Sequence, residues 1–256
     1  MPHADTTYGR LSFVRRAGSA EVSPVLFVHG AGGNALLWGS VMNRLPGTPA
    51  LAVDLPGHGR SPGPGLTSIA TAADAVLALA GALGVHEFIA AGHSMGGGVA
   101  IELALRAPER VRGLILLAVT ARLLVAPALL EQLVADPPAA RRWIVEAGYG
   151  PATTARTRAL GEAQLAGVAP EVLHGDFVAC SVYDARERLG EVHSPALVLC
   201  GADDRLTPPK YVRALAEGLP NAHLEIIAGA GHMLPMEAPG AVAAAISAFL
   251  SSSSRG

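Results

Sequence analysis

The hydrophobic positions of the chain fall into two kinds of segment, which alternate along most of its length. Short, nearly continuous apolar runs are typical of strands buried on both faces of a parallel sheet. Longer segments rich in alanine and leucine, ended by Gly or Pro, predict helices. The predicted strands are residues 11–14, 24–29, 50–55, 87–91, 111–119, 196–200 and 223–227, and the predicted helices are residues 68–83, 95–106, 210–218 and 240–250. This alternation indicates an α/β fold with a mostly parallel, doubly wound sheet and helices on both faces.

The alternation stops in residues 121–190, where the sequence has helical patterns and no predicted strand. Because strands and helices alternate again after residue 190, we expect this segment to be an insertion between two strands of one sheet. An insertion at that place would lie over the carboxyl ends of the strands, where open α/β sheets bind ligands. The expected organisation is a core formed by residues 1–120 and 191–256, with residues 121–190 as a helical cap.

The composition indicates a globular protein and narrows its partners. Half of the residues are apolar and 16% are charged, which excludes a disordered chain. A net charge of −2 and only 4% aromatic residues argue against a nucleic-acid partner. The longest stretch without a charged side chain, residues 22–43, contains a proline and several glycines, so we expect no membrane span. With two cysteines, Cys180 and Cys200, and no visible signal segment, the expected location is a reducing cytoplasm.

One short motif carries the sharpest chemical signal. Residues 92–96, GHSMG, match G-x-S-x-G and lie between a predicted strand and a predicted helix. A strand-to-helix turn of this kind is so tight that the residues two before and two after the serine must be small, and it exposes the serine oxygen. Ser94 is therefore the candidate nucleophile. The alternative is an ordinary glycine-rich connection with a surface serine.

A serine hydroxyl needs a base to accept its proton, and the chain has nine histidines. His93 is adjacent to Ser94, but neighbouring side chains diverge at such a turn, so His93 is expected to pack rather than react. His232 follows a predicted strand in a glycine-flanked loop, and it keeps the chain order of serine, acid and histidine. We therefore expect His232 to be the base.

The base needs a carboxylate that fixes its tautomer and stabilises its charged form. Two aspartates, Asp203 and Asp204, follow the predicted strand at 196–200, whereas the end of the strand at 111–119 offers no carboxylate. From position alone, the acid is either of these two residues.

The reaction also needs backbone N–H groups that bind the negative charge developing on the carbonyl oxygen. One donor is expected from Met95, the residue after the serine, and a second from the glycine loop, residues 29–34 (HGAGGN). A phosphate-binding loop is also rich in glycine. This loop lacks the Lys-Ser/Thr of a P-loop, and the chain has no G-x-G-x-x-G with a ribose-binding acid. We therefore expect no nucleotide cofactor, and no metal.

Taken together, the motifs resemble those of serine hydrolases with the α/β-hydrolase fold, over nearly the whole chain. They are HGAG (29–32), DLPGHGRS (54–61), GHSMGG (92–97), GADD (201–204) with Pro208, and GH (231–232). The resemblance implies that fold with an inserted cap. In this family the acid lies in G-x-x-D-x-x-x-P, which selects Asp204 over Asp203. The family's second N–H donor follows His-Gly, which here is Ala31. The nearest likeness is to small lidded carboxylesterases, lactonases and C–C bond hydrolases.

Three functional hypotheses follow. The first is a hydrolase that cleaves a small-to-medium, largely uncharged ester or lactone with an apolar acyl part through an acyl-enzyme, acting as a monomer or a homodimer. The second is a C–C bond (vinylogous diketone) hydrolase or a cofactor-free perhydrolase on the same triad. The third is a receptor-like ligand binder with incidental turnover. The expected pocket-facing residues of segment 121–190 are Leu123, Leu124, Leu129, Leu130, Leu133, Trp143, Ile144, Phe177 and Val178.

Overall fold

Eight strands form one continuous sheet in the computed structural model, which describes residues 1–20 and 22–253. The strands are β1 (His3–Thr6), β2 (Gly9–Arg16), β3 (Val25–Val28), β4 (Ala50–Val53), β5 (Phe88–His93), β6 (Val111–Leu117), β7 (Ala196–Gly201) and β8 (Ala222–Ile227). Their order across the sheet is β1-β2-β4-β3-β5-β6-β7-β8. The pairs from β4 through β3 and β5 to β8 are parallel, and the two pairs that β2 makes are antiparallel.

Helices cover both faces of this sheet. They are α1 (Gly39–Met42), α2 (Ile69–Ala82), α3 (Met95–Arg106), α4 (Pro127–Ala135), α5 (Pro137–Gly148), α6 (Ala155–Ala166), α7 (Pro170–Ser181), α8 (Pro209–Gly218), α9 (Leu234–Glu237) and α10 (Pro239–Ser253), with short 3-10 helices at Ala35–Trp38 and Arg186–Glu191. One apolar cluster joins α2, α3 and α8 to one face, and a second joins α1 and α10 to the other. The prediction of a mostly parallel, doubly wound sheet is confirmed.

The central strands explain why their sequences are apolar without alternation. Every residue of β3, β4, β5 and β7 is buried, because helices lie against both faces of the sheet. Among the described residues, no helix combines the length and the apolar character that a membrane span requires.

Two of the differences from the predicted strands have a clear physical reason. The edge strand β1 was not predicted, because three of its four residues are polar and all four are partly or fully exposed, and it forms only by antiparallel pairing with β2. β6 ends at Leu117 rather than at residue 119. Its end coincides with Ala118, whose φ of 49° takes the backbone out of the extended conformation.

Segment 121–190 contains the helices α4 to α7 between β6 and β7. Proline occupies the first turn of α4, α5 and α7, and the side chains of Asp136 and Thr154 each accept an N–H group in the first turn of α5 and α6. The segment has an apolar cluster of its own that includes Leu133 and Leu173. An isolated bridge between Arg122 and Asp184 joins its two ends.

Candidate active site

Ser94 makes the turn between β5 and α3 by itself. β5 ends at His93 and α3 begins at Met95, so one residue reverses the chain direction. Ser94 has φ 52° and ψ −118°, a conformation that residues with a side chain rarely adopt. Its backbone N–H donates to the carbonyl oxygen of Leu117 at 2.9 Å. The residues beside it are buried while Ser94 is partly exposed, so the turn presents its side chain at the end of the sheet.

The glycines around Ser94 are required by space. A Cβ atom on Gly92 would lie 1.9 Å from the carbonyl oxygen of Gly96. A Cβ atom on Gly96 would lie 2.3 Å from the carbonyl oxygen of Val28 in the neighbouring strand. Both contacts are with backbone, which cannot move aside as a flexible side chain does. The expectation of small residues on both sides of the serine therefore has a direct steric reason.

His232 and Asp204 form a buried pair. The Nδ1–H of His232 donates to Oδ2 of Asp204 at 2.9 Å, and both residues are only 4% exposed. The second carboxylate oxygen, Oδ1, accepts the backbone N–H groups of Leu206 and Thr207 at 2.9 and 2.8 Å. Asp203, by contrast, is exposed at the same strand end. Of the two aspartates, the structure brings only Asp204 to His232.

Thr207 completes this pair and was not identified from the sequence. Its Oγ1–H donates to Oδ2 of Asp204 at 2.6 Å, and Oγ1 of Thr207 also lies 3.1 Å from Nδ1 of His232. Burial alone would raise the pKa of Asp204. The charge of His232 and the hydrogen bonds from His232 and Thr207 outweigh burial, so the pKa of Asp204 is lowered. The Asp204 carboxylate is therefore ionised beside Nδ1 of His232, where its charge stabilises a protonated imidazole. The available sequence signal was a threonine three residues after the acid, placed to donate back to it.

His93 packs beneath the site, as expected. Its Nε2–H donates to the carbonyl oxygen of His232 at 2.9 Å, and the two rings lie 5.0 Å apart. Burial, followed by the nearness of His232, lowers the pKa of His93 to about 3. His93 is therefore neutral near pH 7 and holds the loop that carries His232.

The glycine loop, residues 29–34, lies directly against Ser94. A Cβ atom on Gly30 would be 3.2 Å from Cβ of Ser94. The loop is closed by the N–H of Gly33, which donates to the carbonyl oxygen of Gly30 at 2.9 Å. His29 donates from Nδ1 to that same oxygen at 2.8 Å and accepts the N–H of Leu55 at Nε2. Ala31, in the middle of this turn, is partly exposed.

A cavity of about 530 Å³ opens above these groups, and Ser94, His232 and Ala31 all line it. Segment 121–190 contributes much of its wall. Of the apolar residues expected there, the lining includes Leu123, Leu124, Leu129, Trp143, Ile144 and Phe177, whereas Leu130, Leu133 and Val178 lie outside it. Leu133 instead belongs to the apolar cluster of the segment itself.

Charged groups are few at the cavity. Arg122 and Arg186 line it, and the guanidinium groups of both contact the carboxylate of Asp184. Arg141 instead donates to the carbonyl oxygen of Val168 within segment 121–190. In the part of the chain that the structure describes, no three His, Cys, Asp or Glu side chains are grouped as a metal ion would require.

Comparisons with known proteins agree with this fold. The model of the alpha/beta hydrolase family matches residues 25–245. The chain is 33% identical over 234 residues to the pimeloyl-(acyl-carrier protein) methyl ester esterase of Neisseria meningitidis serogroup B / serotype 15 (strain H44/76), covering 85% of this chain and 89% of that protein. A malate-bound thermophilic esterase from Thermogutta terrifontis superposes with a TM-score of 0.89 at 26% identity, covering 98% of both chains. Est816, described as an N-acyl homoserine lactone degrading enzyme, superposes with a TM-score of 0.86 at 25% identity, covering 97% of this chain and 100% of that one.

The chain therefore belongs to the alpha/beta hydrolase family. It has the α/β-hydrolase fold, as the motifs implied, and it is a hydrolytic enzyme of that family.

The steric account of the turn predicts opposite results for two glycine-to-alanine substitutions. Gly92→Ala is expected to lower the free energy of unfolding by about 1–3 kcal/mol, because its new Cβ overlaps the backbone. Gly81→Ala, near the end of α2 with open space around it, is expected to be neutral or to stabilise by up to about 1 kcal/mol. Urea unfolding of both variants and the wild type measures the difference. A Gly92→Ala variant as stable as the wild type would contradict the account.

Proposed function

We propose that the protein hydrolyses a carboxylic ester or lactone through an acyl-enzyme formed on Ser94. At the level of its family, the chain is an ester-hydrolysing enzyme. In the proposed reaction His232 is the general base, Asp204 orients it, and the N–H groups of Ala31 and Met95 bind the oxyanion.

The observation that carries this proposal is the buried Asp204–His232 pair, whose imidazole lines the same cavity as Ser94. Because Nδ1 of His232 is held by Asp204, the other ring nitrogen, Nε2, is the one available for a proton from Ser94. Ser94 and His232 line the same cavity, so both are accessible to one bound ester. The lowered pKa of Asp204 keeps a negative charge next to the imidazole when it becomes protonated.

Ser94 Oγ attacks the carbonyl carbon while His232 Nε2 takes its proton, which gives a tetrahedral oxyanion. As the ester bond breaks, His232 returns the proton to the leaving oxygen; an ester releases an alcohol, whereas the new hydroxyl of an opened lactone stays on the acyl chain. Water then attacks the acyl-enzyme and gives its proton to His232. Collapse of the second tetrahedral species releases the carboxylic acid and returns the proton to Ser94.

The two proposed oxyanion donors have independent support. Met95 is the first residue of α3, so its N–H has no helical carbonyl four residues earlier, and the positive end of the helix dipole lies there. Ala31 lies in the glycine loop, which passes so close to Ser94 that a Cβ atom on Gly30 would lie 3.2 Å from Cβ of Ser94. Donors fixed before the reaction stabilise developing charge without a reorganisation cost.

The cavity supports a substrate with an apolar acyl part. We propose that residues 121–190 act as a cap on a core of residues 1–120 and 191–256, since α4, α5 and α7 contribute apolar side chains to the cavity wall. A cavity of about 530 Å³ is in the size range of small-molecule sites. The lining arginines are offset by Asp184, which favours uncharged substrates over the anionic ones that a C–C bond hydrolase uses. The structural likeness to Est816, described as an N-acyl homoserine lactone degrading enzyme, supports a lactone as a substrate beside an open ester.

We also propose a reducing cytoplasm as the location of the enzyme. Cys180 and Cys200 are both buried and neither is in a disulfide, as a reducing compartment would leave them.

Ser94 is expected to react with a fluorophosphonate probe, because an activated serine attacks phosphorus as it attacks a carbonyl carbon. Intact-mass spectrometry should find one adduct per chain in the wild type and none in Ser94→Ala. Ser94→Ala should remain folded and lose several orders of magnitude in kcat. An equal adduct in Ser94→Ala, or none in the wild type, would reject Ser94 as the nucleophile.

The two aspartates at the end of β7 provide a matched pair of substitutions. Asp204→Asn should lower kcat on the order of 10⁴-fold, because an amide facing Nδ1 no longer fixes the tautomer of His232. Asp203→Asn should leave kcat nearly unchanged, because Asp203 is exposed. Steady-state kinetics on p-nitrophenyl butyrate measures both. Comparable losses in the two variants would show that the acid is wrongly assigned.

The acyl-chain preference should follow the size of the cavity. Each buried methylene contributes about 0.8 kcal/mol, so kcat/KM for p-nitrophenyl esters should rise with chain length until the cavity is filled. We expect the maximum between butyrate and octanoate. A maximum at palmitate, a flat profile, or activity confined to anionic esters would contradict the proposed substrate class.

A further inference from the structure

A second buried carboxylate–imidazole pair lies beside the glycine loop and plays no part in the proposed triad. Asp176 belongs to α7 in segment 121–190, and His58 belongs to the turn that follows β4. The two side chains are almost fully buried, and Oδ2 of Asp176 lies 2.9 Å from Nε2 of His58. This contact joins residues that are 118 positions apart and connects the proposed cap to the core.

Both ring nitrogens of His58 have an oxygen partner. Nε2 of His58 faces the carboxylate, and Nδ1 lies 3.1 Å from the carbonyl oxygen of Pro56. Because both ring nitrogens face oxygen acceptors, this geometry favours the doubly protonated form of the ring, the imidazolium. Burial alone would lower the pKa of His58. The hydrogen bond and the charge of Asp176 outweigh burial, so the pKa of His58 is raised. Asp54 adds a weaker attraction, and His29 faces the ring at 4.8 Å.

The same carboxylate oxygen reaches the glycine loop. Oδ2 of Asp176 accepts the backbone N–H of Gly32 at 2.7 Å, so one oxygen serves both His58 and the loop. Gly32 has φ +65°, and a Cβ there would lie 2.4 Å from Leu165 and 2.8 Å from Leu173. Leucine side chains of α6 and α7 therefore pack closely against the loop at Gly32. The Asp176 side chain of α7 thus holds the peptide unit between Ala31 and Gly32 through its N–H.

We propose that Asp176 is a positioning residue of the hydrolysis, which holds the glycine loop so that the Ala31 N–H points at the oxyanion. This inference rests on the proposed function. His58 keeps the carboxylate in place, and Asp176 keeps the loop in place through Gly32. Because the oxyanion exists only in the transition state and the tetrahedral species, loss of Asp176 lowers kcat and leaves substrate binding nearly intact.

The test compares Asp176→Ala and Asp176→Asn with a control, Glu171→Ala. Glu171 lies on the same helix, and its carboxylate is exposed. Asp176→Ala should lower kcat on p-nitrophenyl butyrate on the order of 10²-fold, the effect of a misplaced reacting group, with little change in KM. The inhibition constant of a trifluoromethyl ketone, which forms an oxyanion on the serine, should rise by the same factor. Asp176→Asn should recover kcat to within about tenfold of the wild type, because its amide oxygen accepts both hydrogen bonds. Glu171→Ala should match the wild type.

Several outcomes would overturn the proposal. They are a loss confined to KM, a trifluoromethyl ketone constant that does not change while kcat falls, and an Asp176→Asn variant as impaired as Asp176→Ala. If Asp176→Ala does not fold, the result for Asp176→Asn decides alone. A loss of kcat above tenfold in Asp176→Asn, with an unchanged inhibition constant for the trifluoromethyl ketone, would contradict the positioning role of Asp176. Ser94→Ala runs beside these variants. Full activity of Ser94→Ala would reject the proposed acyl-enzyme on Ser94, whereas an inactive Ser94→Ala with a fully active Asp176→Ala rejects only the role of Asp176.

Discussion

Between β5 and α3 the chain reverses direction at one residue, and the backbone around that residue leaves no room for side chains. Ser94 has φ 52°. The turn can form because the positions two before and two after it are glycines, and a Cβ atom at either position would overlap a backbone oxygen. The helix starts immediately after the serine, so Met95 contributes a first-turn N–H that has no helical partner. The proposed nucleophile and one proposed oxyanion donor thus follow from a single steric constraint.

The parallel sheet brings the remaining groups to the same edge. The glycine loop follows β3, Ser94 follows β5, Asp204 follows β7 and His232 lies in the loop after β8, so all of them leave the carboxyl ends of parallel strands. Close backbone contacts keep these loops in register. A Cβ on Gly201, for example, would lie 2.2 Å from the carbonyl oxygen of Gly231. The loops that carry the acid and the base are therefore packed directly on each other.

The parts of this arrangement that depend on local pattern were predictable, and the parts that depend on distant contacts were not. Continuous apolar runs predicted the buried strands, whereas the polar edge strand β1 carries no such pattern. Two adjacent aspartates share one local sequence, so only the family resemblance favoured Asp204, and burial of the side chain is what separates them in the structure. Asp176 was missed because its role depends on contact with His58, 118 positions away. The assignment of catalytic roles stays a prediction.

Direct observation of the acyl-enzyme tests the central claim most directly. Wild-type enzyme mixed with excess p-nitrophenyl butyrate and quenched in acid within milliseconds should gain the mass of one butyryl group, and peptide mapping should locate that group on Ser94. The modified fraction should decay as the substrate is consumed, at the rate of turnover. Turnover without any acylated enzyme in the quenched samples, or acylation at another residue, would contradict the proposed mechanism.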